Sequence, residues 1–159
     1  MVLRLIVYVV LLSIIGTALY YWLNENKPTN NATEIDSCLI DCVNEWRSTL
    51  LSEGFDSKPV FTSLQSIKIK KLSEEMVGVT HYYKKTIEVD PVVLRQGSFT
   101  LRAAIYHELG HYAFGLSHES CKIMSTTTLS ESEYKEHWED MKHEYIELIR
   151  KQDFETHLP

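Results

Sequence analysis

The pattern of hydrophobic and polar positions changes period several times along this chain. From Leu5 to Leu23, LIVYVVLLSIIGTALYYWL has no period and no charge. A run of roughly twenty such residues spans a bilayer as a helix and exceeds the roughly seven to fifteen of a signal-peptide core. Asn24 to Glu34 is polar, contains Pro28 and predicts a linker. Over Cys38 to Leu51 the apolar positions Leu39, Val43, Trp46 and Leu50 take the three-and-four spacing of an amphipathic helix that ends near Gly54.

The period then shortens. Ile67 and Ile69 alternate with lysines, Val77 to Tyr83 is rich in β-branched and aromatic residues, and Thr86 to Val89 forms a further short strand stopped by Asp90-Pro91. Helical spacing returns at Ser98 and runs through FTLRAAIYHELGHYAF, with Leu101, Ile105, Leu109 and Tyr112 on one side and Gly115 as its left-handed end. A last helix starts at Ser130, where Ser130 and Glu133 have capping-box spacing, and carries the stripe Tyr134, Trp138, Met141, Tyr145 and Ile149. The order helix, small sheet, helix, helix predicts an α+β domain over residues 35–159, behind a linker (24–34) and a transmembrane segment (1–23).

Composition adds a compartment. With 44% hydrophobic residues, the 159-residue chain is long enough for one globular domain with a core. Arg4 precedes the apolar run, and Tyr20, Tyr21 and Trp22 close it, as expected of a signal-anchor with its N-terminus inside and the rest exported. No small-x-small cleavage site follows the run. This predicts a lipid bilayer as a partner and a periplasmic, extracellular or lumenal domain. The formal charge of -6 disfavours nucleic acid, because phosphate contacts need clustered Lys and Arg, and the short run Lys68 to Lys71 reads as the solvated face of a strand. Of the three cysteines, Cys38 and Cys42 are one helical turn apart; a bond from one of them to Cys121 and buried free thiols are both open. Asn31-Ala-Thr33 has the form of a glycosylation acceptor.

The chemistry gathers in HELGHYAFGLSH, His107 to His118. On a helix, His107 and His111 stand one turn apart on one face, so both imidazoles reach a single metal ion about 2 Å from each nitrogen. Glu108, rotated about 100° from His107, lies close enough to serve as general base toward a water without itself becoming a ligand. His81, His137, His143 and His157 read as surface or half-buried side chains.

With Gly115, a third histidine at His118 and Met124 after it, the sequence resembles the metzincin clan of zinc peptidases, whose signature is HExxHxxGxxH followed by a methionine-bearing turn. HELGH supplies the first part, GLSH the second, and CKIMS the turn. The resemblance implies one catalytic Zn2+, a protein or peptide substrate hydrolysed as by an endopeptidase, an edge strand that pairs with substrate at Thr86 to Val89, and a C-terminal helix closing the domain. Here the glycine lies four residues after the second histidine instead of three, and no tyrosine follows Met124, so assistance from a phenol is not carried over.

The extra residue rotates the helix exit by about 100° and advances it about 1.5 Å. Because the glycine has moved with the histidine, His118 is expected as the third ligand, with a loosely wound turn near Tyr112 to Phe114 absorbing the difference. Glu119 and Glu136 are the substitutes, the latter giving a gluzincin-like peptidase; helical geometry turns Glu136 away from the apolar stripe. A membrane-tethered binding module that keeps the fold without hydrolysis is the alternative from another functional class, and the intact Glu108 speaks against it.

Overall fold

A small mixed sheet packs against one long helix, which in turn packs against a second, to give an α+β domain. The computed structural model describes residues 33–73 and 76–156. The expected membrane anchor lies outside them, and no helix among the described residues is long and apolar enough to cross a membrane.

Strand β1 (Glu34–Ile35) leads through a 3-10 turn (Ser37–Leu39) into helix α1 (Ile40–Ser52), whose inward positions Cys42, Val43, Trp46 and Leu50 are buried. A short helix α2 (Lys58–Ser63) precedes β2 (Ser66–Ile69), β3 (Gly78–His81) and β4 (Thr86–Val89). Helix α3 (Val92–Gln96) then leads into α4 (Ser98–Phe114), a second 3-10 turn (Lys122–Met124) and α5 (Glu131–Thr156). The capping box is formed: the Glu133 carboxylate accepts from the Ser130 N–H at 2.9 Å, while the Glu133 N–H donates to the Ser130 hydroxyl at 3.3 Å. All five residues of the α5 stripe are buried.

The strand order is β1-β2-β4-β3, with β1, β2 and β4 parallel and β3 antiparallel to β4. This corrects the expected edge strand. Thr86 to Val89 is hydrogen-bonded on both sides, through Ile87 to Ile67 of β2 and to Thr80 of β3, so Gly78–His81 is the edge. Sheet pairing also begins earlier than the linker reading allowed, because Glu34 pairs with Ser66 and the Thr33 hydroxyl donates to the Phe61 and Leu64 carbonyls.

The core lies where α1, α4 and α5 meet. Trp46, Tyr106 and Tyr145 are fully buried, and each such ring removes on the order of 150–250 Å² from water, worth at most about 4–6 kcal/mol. Their polar ends are satisfied within the core: Trp46 Nε1 donates to the Tyr145 hydroxyl at 3.1 Å, which donates to the Tyr106 carbonyl at 3.1 Å. All three cysteines are free thiols, Cys42 and Cys121 buried and Cys38 exposed. Burial pushes the Cys42 thiol up to about 11, which keeps it protonated and unreactive at neutral pH.

Candidate metal centre

Helix α4 carries the first two candidate ligands, and its N-terminus is tied to the rest of the domain from outside. No side chain of its own caps it. Instead the Glu131 carboxylate, from the first turn of α5, accepts from the Phe99 N–H at 3.0 Å and the Thr100 N–H at 2.9 Å. Free helix N–H groups and the positive end of the helix dipole favour a carboxylate there. Burial raises the Glu131 carboxyl, but these amides outweigh it and hold the group below its usual range.

At the other end, Gly115 takes the left-handed conformation at φ 62°, ψ 25°, and its N–H bonds back to the His111 carbonyl at 3.0 Å. The helix stays regular through Phe114, which corrects the expected loosening over Tyr112 to Phe114. At the exit the Leu116 N–H reaches back to the Gly110 carbonyl at 3.3 Å.

This exit returns His118 to the helix. His111 Nε2 lies 3.0 Å from His107 Nε2 and 3.0 Å from His118 Nε2, and candidate ligand atoms of the three rings all fall within 4.8 Å of one another. Nitrogens about 2 Å from one tetrahedral ion sit roughly 3.3 Å apart, so the cluster is close to ligand spacing. The tautomers follow from the partners. His107 Nδ1 faces the Ile123 carbonyl at 2.9 Å and His111 Nδ1 faces the Leu116 carbonyl at 2.6 Å. A carbonyl only accepts, so both Nδ1 atoms carry the proton and both Nε2 atoms present lone pairs. Burial pushes the His107 ring down to about 4, with the neighbouring rings adding to the effect against the Ile123 hydrogen bond. Burial likewise lowers His111. At neutral pH the two rings are uncharged, and their lone pairs converge.

Glu108 is 4% exposed. Its carboxylate packs against the edge strand, where the Thr80 hydroxyl donates to Oε2 at 2.7 Å. Burial raises the carboxyl to about 7, opposed by that hydrogen bond. Gly78 makes room, since a Cβ there would stand 2.9 Å from Glu108 Cδ. Met124 is fully buried against α4, where a Cβ on Gly110 would lie 2.9 Å from its Sδ.

The remaining candidates are elsewhere. Glu136 is exposed on α5 and does not join the cluster. Glu119 closes the loop that carries His118: its Oε1 accepts from the Thr126 N–H and hydroxyl, both at 2.8 Å, and its N–H donates to the Met124 carbonyl at 2.9 Å. The three histidines and Glu108 line a cleft of about 500 Å³ between α4 and β3, with Val93, Ala104 and Ile123 among its apolar lining. Thr80, Gly78 and Glu131 were missed from the sequence. A lone Thr, Gly or Glu has no spacing that signals a contact across some thirty residues of chain.

Comparison of the chain with protein-family models, with curated proteins and with solved structures gives no match.

Proposed function

We propose that this chain is a zinc-dependent endopeptidase of metzincin-like architecture, anchored in a membrane by Leu5 to Leu23 with its catalytic domain on the extracytoplasmic side. The observation that carries the reading is the convergence of Nε2 atoms from His107, His111 and His118. Two uncharged imidazoles whose Nδ1 protons are committed to carbonyls repel one another across 3.0 Å between lone pairs, unless a cation sits among them. Three imidazoles with one side open to a cleft suit a catalytic zinc site, which keeps a coordination position free.

Zinc held there would supply Lewis acidity, polarising a peptide carbonyl and bringing the pKa of a water to about 7. The chain's own contribution is Glu108. A carboxylate raised to about 7 is poised to take a proton from that water and to give it to the leaving amine. The cleft walls keep bulk water from the carboxylate, and the unpaired side of β3 offers main-chain groups to an extended peptide. Such main-chain recognition suits peptide substrates as a class.

The test uses the purified full chain. Mass spectrometry is expected to find one zinc per chain, and the wild type to cleave denatured casein while Glu108→Gln keeps zinc and loses most turnover. Unchanged turnover in Glu108→Gln would remove the mechanism, and zinc with no cleavage of a broad peptide library would favour a binding module. In metal titrations His118→Ala weakens zinc while Glu119→Ala and Glu136→Ala keep all three imidazoles; wild-type affinity in His118→Ala would end the ligand assignment. The anchor predicts an intact N-terminus in the membrane fraction, against a mature chain starting after Trp22.

A further inference from the structure

We propose that Thr80, on the edge strand, is a positioning residue for Glu108: its hydroxyl pins one carboxylate oxygen and leaves the other to exchange protons in the cleft. The inference rests on the reading of Glu108 as general base. Alternate residues of a strand point to the same face, so Gly78 and Thr80 both look toward α4, whereas His81 faces the other way to Glu88 Oε2 at 3.3 Å. Gly78 gives the carboxylate space, and Thr80 gives it a partner.

The geometry divides the two oxygens. Thr80 Oγ1 lies 2.7 Å from Oε2 and 3.0 Å from the Glu108 main-chain carbonyl oxygen, so the side chain is folded back over its own residue and the single hydroxyl proton has the carboxylate as its nearer acceptor. Among the described residues Thr80 is the only hydrogen-bonding partner of this carboxylate, and Oε1 is left over the bare Cα of Gly78 at the cleft. A glutamate has three side-chain torsions, and without this contact the carboxylate would sample several rotamers in the space that Gly78 opens. The hydroxyl itself is well fixed, because the β-branch of threonine restricts its torsion and Thr80 is in register with Ile87 of β4. Displacement of a catalytic group by about 1 Å costs on the order of a hundredfold in rate.

The experiment compares Thr80→Val, which keeps shape and removes the hydroxyl, with Thr80→Ser, which keeps the hydroxyl. On the full-length, zinc-loaded chain cleaving dye-labelled denatured casein, Thr80→Val is expected to lower kcat roughly ten- to a hundredfold with KM within about threefold, and Thr80→Ser to stay within about threefold of wild type in both. A second readout needs neither zinc nor turnover: the carboxyl 13C resonance of Glu108 in the metal-free chain, assigned by its loss in Glu108→Gln, shifts in Thr80→Val and holds in Thr80→Ser. If valine unfolds the strand, Thr80→Ala replaces it, and serine must then exceed alanine about tenfold in kcat. Wild-type kcat in the hydroxyl-free variant, with Glu108→Gln inactive, overturns the role of Thr80 alone. Wild-type turnover in Glu108→Gln instead overturns the general-base reading, and the positioning role falls with it.

Discussion

Gly110, in the middle of HELGH, is the position where the helix alone and the fold make opposite predictions. In an exposed helix, replacing glycine by alanine gains about 1 kcal/mol from propensity. Here the new methyl group would stand 2.9 Å from Met124 Sδ and 3.0 Å from the Tyr145 hydroxyl oxygen, inside ordinary contact distance of two fully buried side chains. Overpacking of this kind costs about 1–3 kcal/mol. If the Tyr145 ring moves, the Trp46 indole N–H loses its acceptor at 3.1 Å, adding about 1–3 kcal/mol for a buried donor left unpaired. The Tyr106 carbonyl, in contrast, keeps its place in the α4 ladder. With the ring displaced, as the 3.0 Å approach to its hydroxyl requires, Gly110→Ala is expected to destabilise the domain by a net ~1–5 kcal/mol after the gain in helix propensity. Urea unfolding of the full chain, followed by tryptophan fluorescence, measures it as a lower midpoint at unchanged slope. Combined with Tyr145→Phe, the two losses should fall short of additivity by about 1 kcal/mol, since the hydroxyl that alanine displaces is already gone. A Gly110→Ala chain as stable as wild type, or more so, refutes the close packing of α4 on Met124 and Tyr145.

Two further outcomes are expected. In the metal-free chain, the raised pKa of Glu108 contributes stability that is present below the ordinary value of 4.5 and lost as pH rises through about 7. The stability of wild type relative to Glu108→Gln should thus fall by about 3 kcal/mol from pH 4.5 to 8, from 2.5 pH units at 1.36 kcal/mol each. His107, depressed to about 4, acts with the opposite sign in both chains and cancels from that difference; a flat difference in urea unfolding would place Glu108 outside the buried site. Glu131→Ala removes the acceptor for the Phe99 and Thr100 amides and is expected to cost about 1–2 kcal/mol at pH 7. Because the folded pKa of Glu131 is lowered, that cost should shrink as pH falls below about 4.5, and a pH-independent cost in thermal melts would contradict the cap.

What the sequence made legible is what a short period encodes. The stripe of α5, its capping box and the span of α4 follow from spacing within one element, and the bounds Ser98–Phe114 and Thr86–Val89 fall where the pattern places them. Strand order is not encoded that way. Spacing marks both Val77 to Tyr83 and Thr86 to Val89 as strands, and it is the resemblance, not the pattern, that puts the edge at Thr86 to Val89. The fold places Gly78–His81 at an edge, half-buried under α4 and the cleft, with Tyr82 and Tyr83 exposed beyond it, while Ile87 and Val89 go fully inward.

The candidate site divides along the same line. His107, Glu108 and His111 are one helical turn, and any α-helix would bring them together. Their aim comes from outside that turn. The two Nδ1 protons are held by the carbonyls of Leu116 and Ile123, groups that every residue type possesses, so no motif records them. The position of the third imidazole depends on where the helix stops. The left-handed residue remains three positions before His118 whatever the length of the helix behind it. One further residue of helix would ordinarily swing the exit by about 100°. At this exit the chain bends Leu116 back over the final turn, where its N–H finds the Gly110 carbonyl and its own carbonyl faces His111 Nδ1. The bend that follows the left-handed glycine is thus the same bend that orients the second histidine, which ties the end of the helix to the tautomer of that ring.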